Sequence, residues 1–170
     1  MSALIEVRGL SKTFSVNRGI FARRATLTAV AGVDLDVHKG EVLGIVGESG
    51  CGKSTLARMI LGLLPPTTGT VRLDGKDIQT LPRREIARRM QPVFQDPYSS
   101  LNPRRRIASI VALPLEVQGI GSAEERRAKA IAALDKVGLP ARYADHYPNE
   151  LSGGQRQRVA IARALITEPE

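Results

Sequence analysis

A glycine-rich segment carries the clearest chemical signal in this sequence of 170 residues. Positions 47–54 are GESGCGKS, which matches the pattern G-x-x-x-x-G-K-[ST]. Glycines permit backbone angles that a Cβ atom would forbid, so successive N–H groups can converge on phosphate oxygens. In this pattern Lys53 reaches the β- and γ-phosphates of a nucleoside triphosphate, and the Ser54 hydroxyl ligates Mg²⁺. The candidate phosphate-binding residues are Gly47, Glu48, Ser49, Gly50, Cys51, Gly52, Lys53, Ser54 and Thr55.

The only cysteine of the chain, Cys51, lies inside this loop. A single cysteine excludes an internal disulfide and a metal site built from several cysteines. Within the loop we expect it to be a small filler. The alternative is a reactive thiol, activated by the positive end of the helix that follows.

A second segment, LSGGQ at positions 151–155, precedes a helical run that extends to Leu165. Ser152 and Gln155 have the spacing of a capping box, in which each side chain bonds the backbone N–H of the other residue. Gly153 and Gly154 lie between them, and a glycine inside a helix lowers stability by about 1 kcal/mol relative to alanine. Glycines let another surface come close, so this helix N-terminus is predicted to form a second anion site. The alternative is an ordinary capped helix.

Both motifs need elements that position them, and the first follows a predicted strand. Residues 42–46, VLGIV, form a short apolar run typical of strands that are covered on both faces. A long exposed loop carrying Ile20 and Phe21 is predicted at residues 15–24. Further strands are predicted at residues 4–10, 33–38, 70–73 and 91–94.

Helices are predicted after the phosphate loop. One helix face carries Leu56, Met59, Ile60 and Leu63, which recur at helical spacing, and Pro65-Pro66 is predicted to end this helix. A basic helix follows at residues 84–89.

The region from residue 104 to 148 is predicted to be a helical insert in an α/β core. Ser122 and Glu125 form a capping box at the start of one of its helices. The apolar face of that helix carries Ile131, Leu134 and Val137, and a left-handed turn at Gly138 ends it before Pro140.

Charge and composition exclude several classes of protein. The chain has 25 Lys+Arg and 17 Asp+Glu, a net charge of +8, but its aromatic content is only 4% and does not interleave with the arginine clusters. A base-stacking surface is therefore poorly supported, and no nucleic-acid partner is expected. No apolar stretch approaches the ~20 residues of a membrane span, and the start has no pattern of a signal peptide.

The loop at 47–54 together with LSGGQ at 151–155 resembles the nucleotide-binding subunit of an ABC transporter, over almost the whole chain from Leu4. The resemblance implies a P-loop NTPase-type α/β core with an antiparallel β part at its N-terminal end and a helical insert. It implies a partial ABC ATP-binding domain with a core at residues 1–103, a helical subdomain at 104–150 and the signature helix at 151–170. Two ATP molecules would lie between two subunits, each covered by the signature helix of the other.

The same resemblance assigns two further site residues. Gln95 would be the glutamine that touches Mg²⁺ and the attacking water, and Phe14 would place its ring against adenine. The alternative for Phe14 is a core phenylalanine at a strand end.

A narrower resemblance concerns the transported solute. The run QDPYSSLNPR at 95–104, with the loop that carries Gly19-Ile20-Phe21, is similar to ATPases that drive bacterial import of dipeptides, oligopeptides, glutathione or nickel. This implies a peripheral protein at the cytoplasmic side of the inner membrane. Its partners would be a second ATPase subunit in a homo- or heterodimer, transmembrane permease subunits and, indirectly, a solute-binding protein.

One departure from the family pattern affects the reaction. The family has an apolar strand ending in Asp-Glu after the signature helix, then a switch histidine, and residues 1–170 contain neither. Both histidines, His38 and His146, precede the signature. We therefore expect an N-terminal fragment, truncated before that strand, that is inactive alone.

Two alternatives share the motifs. The first is a chromosome-maintenance or DNA-repair ATPase, but only about a hundred residues separate the motifs, with Pro114 and Pro140 among them, so a long coiled coil has no room. The second is a naturally truncated nucleotide-binding module without catalysis.

Overall fold

The computed structural model describes residues 3–16, 25–96 and 100–170. The chain divides into two compact units, Met1–Ile86 and Ala87–Glu170. The predicted loop at residues 15–24 lies outside the described residues from position 17 onward. No helix among the described residues is both long enough and apolar enough to cross a membrane.

The first unit is built on an antiparallel sheet. Its strands are β1 (Ile5–Val16), β2 (Ala25–Val37), β3 (Thr68–Leu73) and β4 (Lys76–Asp77), in the order β2-β1-β3-β4. Val7 on β1 pairs with Leu35 on β2 and with Val71 on β3, and both Val7 and Val71 are buried. The antiparallel N-terminal part and its three predicted strands are confirmed, and each strand is longer than its apolar pattern indicated.

A close backbone contact lies where the pairing of β1 with β3 shifts register, between Arg8 and Ser11. Gly69 has φ +84°, and a Cβ atom there would lie 2.4 Å from the carbonyl oxygen of Gly9. Only glycine fits at this position, because a side chain would meet the backbone of the neighbouring strand.

Helix α1 (Lys53–Ile60) buries Leu56 and Met59 as predicted but ends earlier than expected. Gly62 takes φ +67°, and the N–H of Leu63 donates to the carbonyl of Arg58 at 2.8 Å. This Schellman turn ends the helix, so the assignment of the stop to Pro65-Pro66 was wrong. Leu63 lies outside the helix, and half of its side chain is exposed.

Two predicted strands do not form. Residues 42–46 and 91–94 have no strand pairing among the described residues. Val42 and Val46 are 97% and 95% exposed, and Val93 and Phe94 are partly exposed. A strand needs neighbours that take up its N–H and C=O groups, and the described sheet provides none for these segments.

The basic helix is confirmed as α2 (Arg83–Arg89). In the second unit, α3 (Ile107–Gln118) and α4 (Ala123–Lys136) are followed by 3₁₀ turns at Ala141–Asp145 and Pro148–Glu150, and then by α5 (Gly153–Leu165). Their core includes Leu101, Ile107, Val111, Leu134, Leu139 and Val159. The region predicted as a helical insert is therefore helical.

The predicted capping box of α4 is formed. Glu125 N donates to Ser122 Oγ at 3.2 Å, and Ser122 N donates to the Glu125 carboxylate at 2.6 Å. The backbone N–H of Ser122, and to a lesser degree its side chain, hold the pKa of the Glu125 carboxyl group below its usual value. Leu134 is buried, and Gly138 (φ +71°) follows the helix end as predicted.

Candidate functional site

The glycine-rich loop reaches helix α1 through a position that admits only glycine. Gly52 is the N-cap of α1, with φ 99° and ψ 0°. A Cβ atom at Gly52 would lie 2.1 Å from the carbonyl oxygen of Ala29 on β2. Strand β2 therefore sets how the loop enters the helix.

The N-terminus of α1 has no side-chain cap and no acidic residue in its first turn. The first N–H groups of a helix lack partners within the helix, and they form the positive end of its dipole. An anion placed here would accept hydrogen bonds from several N–H groups at once. The end of α1 thus fits a phosphate group.

The Lys53 ammonium is folded over the same loop. Its Nζ donates to the carbonyls of Gly47 at 2.7 Å and Glu48 at 2.6 Å. Both hydrogen bonds are exposed to solvent, so a stronger, charged acceptor can replace these carbonyls.

Cys51 lies against the start of the loop, because a Cβ atom at Gly47 would come within 2.7 Å of its Sγ. This contact fits the predicted filler role. The thiol is exposed and its Sγ lies 3.6 Å from Lys53 Nζ. The alternative of a reactive thiol stays a prediction.

Ser54 follows Lys53 in the first helical turn and is exposed, whereas Thr55 is half-buried. Glu48 and Ser49 are exposed in the loop. The part of the chain that the structure describes contains no cluster of three His, Cys, Asp or Glu residues able to hold a metal ion. A cation here would take one ligand from the Ser54 hydroxyl and others from phosphate oxygens.

Phe14 lies near the end of β1, opposite Leu27 of β2. Its ring is 37% exposed and is not part of the buried core. Lys12 lies 5.5 Å from the ring centroid and also donates to the carbonyl of Pro65 at 2.6 Å.

The predicted capping box of α5 is formed at Ser152. Gln155 N donates to Ser152 Oγ at 3.3 Å, and Ser152 N donates to Gln155 Oε1 at 2.9 Å. The Gln155 amide also donates to the Tyr143 hydroxyl at 3.2 Å. Gly153 begins the helix, and a Cβ atom at Gly154 would meet nothing within 4 Å. Packing among the described residues does not require a glycine at 154.

Gln95 is exposed and lies outside any helix or strand, shortly before residues 97–99, which are outside the described part of the chain. The structure thus brings residues 47–55 together in one loop and helix turn of the first unit, which also contains Phe14. Gln95 and Ser152–Gln155 belong to the second unit.

Sequence reasoning missed one contact in the second unit. Arg163 of α5 donates from Nη1 to the carbonyl of Ser100 at 2.6 Å. Arg163 is partly buried, and this burial lowers the pKa of its guanidinium. The only signal in the sequence is an arginine within the otherwise apolar run from Val159 to Leu165.

Comparison with known proteins agrees with this geometry. The sequence profile of the family described as ABC transporter matches residues 30–170. The chain belongs to the ABC transporter family. A Brucella ovis protein named for peptide import and ATP binding is 47% identical over 170 residues, which cover 98% of this chain and 52% of that protein. The oligopeptide transport ATP-binding protein AppF of Bacillus subtilis is 44% identical, with the same two shares. This ABC chain spans about half the length of the curated relatives it matches.

Solved ABC structures confirm the predicted fold class. A dimeric ATP-binding cassette in a post-hydrolysis state, bound to ADP and Pi, has a TM-score of 0.83 and 36% identity. The match covers 97% of this chain and 70% of that one. The antiparallel sheet, the glycine-rich loop and the helices of the second unit are therefore parts of an ABC cassette.

Proposed function

We propose that the chain supplies the ATP-binding machinery of an ABC importer for peptides or a related small solute. One observation carries the nucleotide assignment: the uncapped N-terminus of α1, entered through Gly52, with the Lys53 ammonium folded over the same loop. The peptide assignment rests on the names of the relatives, which are similar over 98% of this chain.

In this proposal residues Gly47 to Thr55 hold the phosphates of ATP. Lys53 exchanges its two loop carbonyls for the β- and γ-phosphate oxygens, and N–H groups at the start of α1 donate to the same anion. The Ser54 hydroxyl ligates Mg²⁺. Bound Mg-ATP would supply the phosphoanhydride bond whose hydrolysis drives transport.

The signature helix α5 acts on a second subunit. The open space at Gly154 supports this assignment, because a Cβ atom there would meet none of the described residues within 4 Å and another surface therefore has room to approach. One of the similar structures is a dimeric ATP-binding cassette, which supports a second subunit as the surface that α5 meets. Ser152–Gln155 then cover the nucleotide of a second ATPase subunit, with permease subunits and a solute-binding protein completing an importer at the cytoplasmic side of the inner membrane.

Gln95 is proposed to touch Mg²⁺ and to orient the attacking water. Its amide cannot take a proton from that water, so hydrolysis needs a base outside the motifs described above. We expect the 170-residue chain to bind ATP without turnover. Phosphate release by the purified chain that disappears in Lys53→Ala would overturn this proposal.

Calorimetric titration with Mg-ATP tests the role of Lys53. Charge-assisted hydrogen bonds contribute roughly 1.5–3 kcal/mol each, so Lys53→Ala should weaken binding about tenfold or more. Lys39→Ala is the matched control, because Lys39 is an exposed lysine at a turn outside the loop. Equal affinities of Lys53→Ala and the native chain would refute the assignment.

Phe14→Ala tests the adenine contact. Base–aromatic stacking contributes about 1–3 kcal/mol, so the variant should lose affinity for ATP but keep its affinity for inorganic triphosphate. Leu27→Ala is the control, since Leu27 pairs with Phe14 across the strands and is 58% exposed. Equal losses for both ligands would show that Phe14 supports only the fold.

A further inference from the structure

The side-chain amide of Gln155 is used at both ends within the second unit. Its Oε1 accepts a hydrogen bond from the backbone N–H of Ser152 at 2.9 Å, as a capping box requires. Its Nε2 donates to the hydroxyl of Tyr143 at 3.2 Å, across 12 residues of sequence. The capping box accounts for the first contact, whereas the second comes from a residue outside both motifs.

The second contact changes how firmly Gln155 is held. A glutamine side chain is long and flexible, and ordering it is opposed by a loss of conformational entropy. The N–H of Ser152 determines which end of the amide is the acceptor, and the Tyr143 hydroxyl then takes the remaining donor end. The amide is therefore fixed at two points rather than one.

The position of Tyr143 is set by the core rather than by α5. Tyr143 lies in the 3₁₀ turn Ala141–Asp145, whose Ala144 is 1% exposed and belongs to the core of the second unit. The Tyr143 ring packs against the same core, and its centroid lies 5.3 Å from that of the His146 ring. The carbonyl of His146 accepts a hydrogen bond from the N–H of Ile107 on α3 at 2.9 Å. The hydroxyl that meets Gln155 is thus tied to α3 and to the core.

The side chain of Ser152 is held by the same hydrogen bonds. Its Oγ accepts from the N–H of Gln155 at 3.3 Å. A hydroxyl that accepts one hydrogen bond keeps its own proton for donation to another group. Ser152 is exposed, so the capping box presents a hydroxyl donor at the surface, and Gln155 determines its orientation.

We infer that Tyr143 is a positioning residue for the signature helix, because through Gln155 it holds Ser152 in the orientation that α5 presents to a second subunit. This role rests on the proposed function for Ser152, and it extends that function to a tyrosine outside both motifs. Each contact on the path from Tyr143 to Ser152 joins described residues of the second unit.

The NMR signals of the Gln155 side-chain amide test the contact directly in the full chain. Tyr143→Phe keeps the ring and removes only the hydroxyl. The hydrogen-bonded Nε2 proton of Gln155 should then move upfield, towards the position of an amide in water. Exchange of the Ser152 N–H should become roughly fivefold faster, as expected for the loss of one neutral hydrogen bond. Amides of α3 and α4 should keep their native exchange rates.

Tyr147→Phe is the matched control. Tyr147 is a second tyrosine in the segment before α5, and its ring faces the Arg106 guanidinium at 5.9 Å. The Gln155 amide bonds the hydroxyl of Tyr143, so Tyr147→Phe should leave its signals and the exchange of Ser152 unchanged. The positioning role is overturned if Tyr143→Phe leaves both unchanged, if Tyr147→Phe alters them equally, or if exchange rises equally throughout α3 and α4.

A double-mutant cycle shows whether Tyr143 acts through Gln155. Gln155→Ala removes both amide contacts, so exchange of the Ser152 N–H should be faster than in Tyr143→Phe. Adding Tyr143→Phe to Gln155→Ala should have no further effect, because the hydroxyl then has no amide to hold. Gln155→Glu should keep slow exchange, since a carboxylate accepts both from the N–H of Ser152 and from the Tyr143 hydroxyl. Additive effects of Tyr143→Phe and Gln155→Ala would overturn the path through Gln155.

Self-association in Mg-ATP tests the functional consequence. Sedimentation velocity at a series of protein concentrations measures the dissociation constant of the ATP-dependent dimer. Tyr143→Phe should raise this constant at least fivefold, whereas Tyr147→Phe should leave it native. The affinity of the single chain for ATP should stay native in both variants, because residues 47–55 belong to the first unit.

The two proposals fail in different ways. If the native chain does not associate in Mg-ATP, the proposed action of α5 between two copies of this chain is refuted, and the NMR and exchange results decide alone whether Tyr143 holds Gln155. If Tyr143→Phe associates as tightly as the native chain, the proposed function stands and the positioning role of Tyr143 is overturned.

Discussion

Helices α1 and α5 begin in opposite ways. Helix α1 starts at Gly52, whose lack of a side chain leaves its first N–H groups uncapped. Helix α5 starts at Ser152, where Ser152 and Gln155 satisfy each other's backbone N–H groups. Both segments carry glycines, but Gly52 has φ +99° and abuts Ala29, whereas Gly154 faces open space.

This difference separates a helix start without any side-chain cap from a helix start that is partly capped within the chain. Uncapped N–H groups are satisfied only by water or by an anion, so a bound phosphate stabilises α1 and its loop. A capping box satisfies two backbone N–H groups at the start of α5 within the chain, so this N-terminus depends less on a bound anion. We infer that the N-terminus of α1 binds a phosphate group, and that α5 presents its N-terminal surface to a partner subunit.

Alanine substitution at the two glycines should give the largest contrast. Gly52→Ala requires a strained left-handed backbone, which is unfavourable by about 1–2 kcal/mol, and its Cβ would overlap the Ala29 carbonyl at 2.1 Å. We expect roughly a 100-fold or greater loss of ATP affinity in calorimetry. Gly154→Ala should keep native ATP affinity and gain up to about 1 kcal/mol of unfolding free energy.

The contrast fails if Gly52→Ala binds ATP as tightly as the native chain, since the loop then does not depend on this backbone conformation. A loss of unfolding free energy in Gly154→Ala would show that the chain itself packs against that position. Urea denaturation of each variant separates a binding defect from global unfolding.

Local signals in the sequence predicted the starts of α1, α4 and α5. Each capping box lies within four consecutive residues, so the order of residue types is enough to identify Ser122–Glu125 and Ser152–Gln155. The phosphate loop is local in the same sense. Hydrogen bonds between residues close in sequence determine these features, so they do not depend on tertiary contacts.

Features that depend on distant neighbours could not be predicted in the same way. The apolar run at 42–46 indicated a covered strand, but pairing needs partners, and Val42 remains almost fully exposed. Arg163 and Ser100 lie 63 residues apart, and no pattern in the sequence connects them. The Schellman turn at Gly62 is local, but the Pro65-Pro66 pair that follows is the stronger stop signal in the sequence and indicates a later helix end.

Two serine substitutions test the same comparison between the starts of α1 and α5, with smaller expected effects. Ser152→Ala removes an N-cap, so the free energy of unfolding should fall by about 1 kcal/mol, while the chain keeps its ATP affinity. Ser54→Ala should instead weaken the binding of Mg-ATP and leave the free energy of unfolding unchanged, because Ser54 is not an N-cap residue but is the proposed Mg²⁺ ligand. Urea denaturation and calorimetry with Mg-ATP measure the two effects. If Ser152→Ala weakened ATP binding, the N-terminus of α5 would contact the nucleotide that is bound to its own chain.

The smallest expected effect concerns the segment that leads into α5. Asp145 accepts two hydrogen bonds from the Arg127 guanidinium, at 3.1 and 2.9 Å, and a third from Arg106 at 3.3 Å. These contacts, chiefly that of Arg127, lower the pKa of Asp145 below its ordinary value of 3.8. All three side chains are about half exposed, so solvent and salt screen the interaction.

The sign of the pH dependence follows from this lowered pKa. A carboxyl group with a lower pKa in the folded state stabilises the fold above its unfolded pKa, and that contribution is lost as the pH falls through the folded value. Asp145→Asn should therefore melt at a slightly lower temperature than the native chain at neutral pH, by less than Ser152→Ala does. This difference in melting temperature should narrow below about pH 4 and vanish in stronger acid, and it should also become smaller with added salt. Glu125 and Asp36 also have lowered pKa values, but they are present in both proteins and cancel in the difference. A difference in melting temperature that persists in strong acid would mean that Asp145 stabilises this segment by packing rather than by charge.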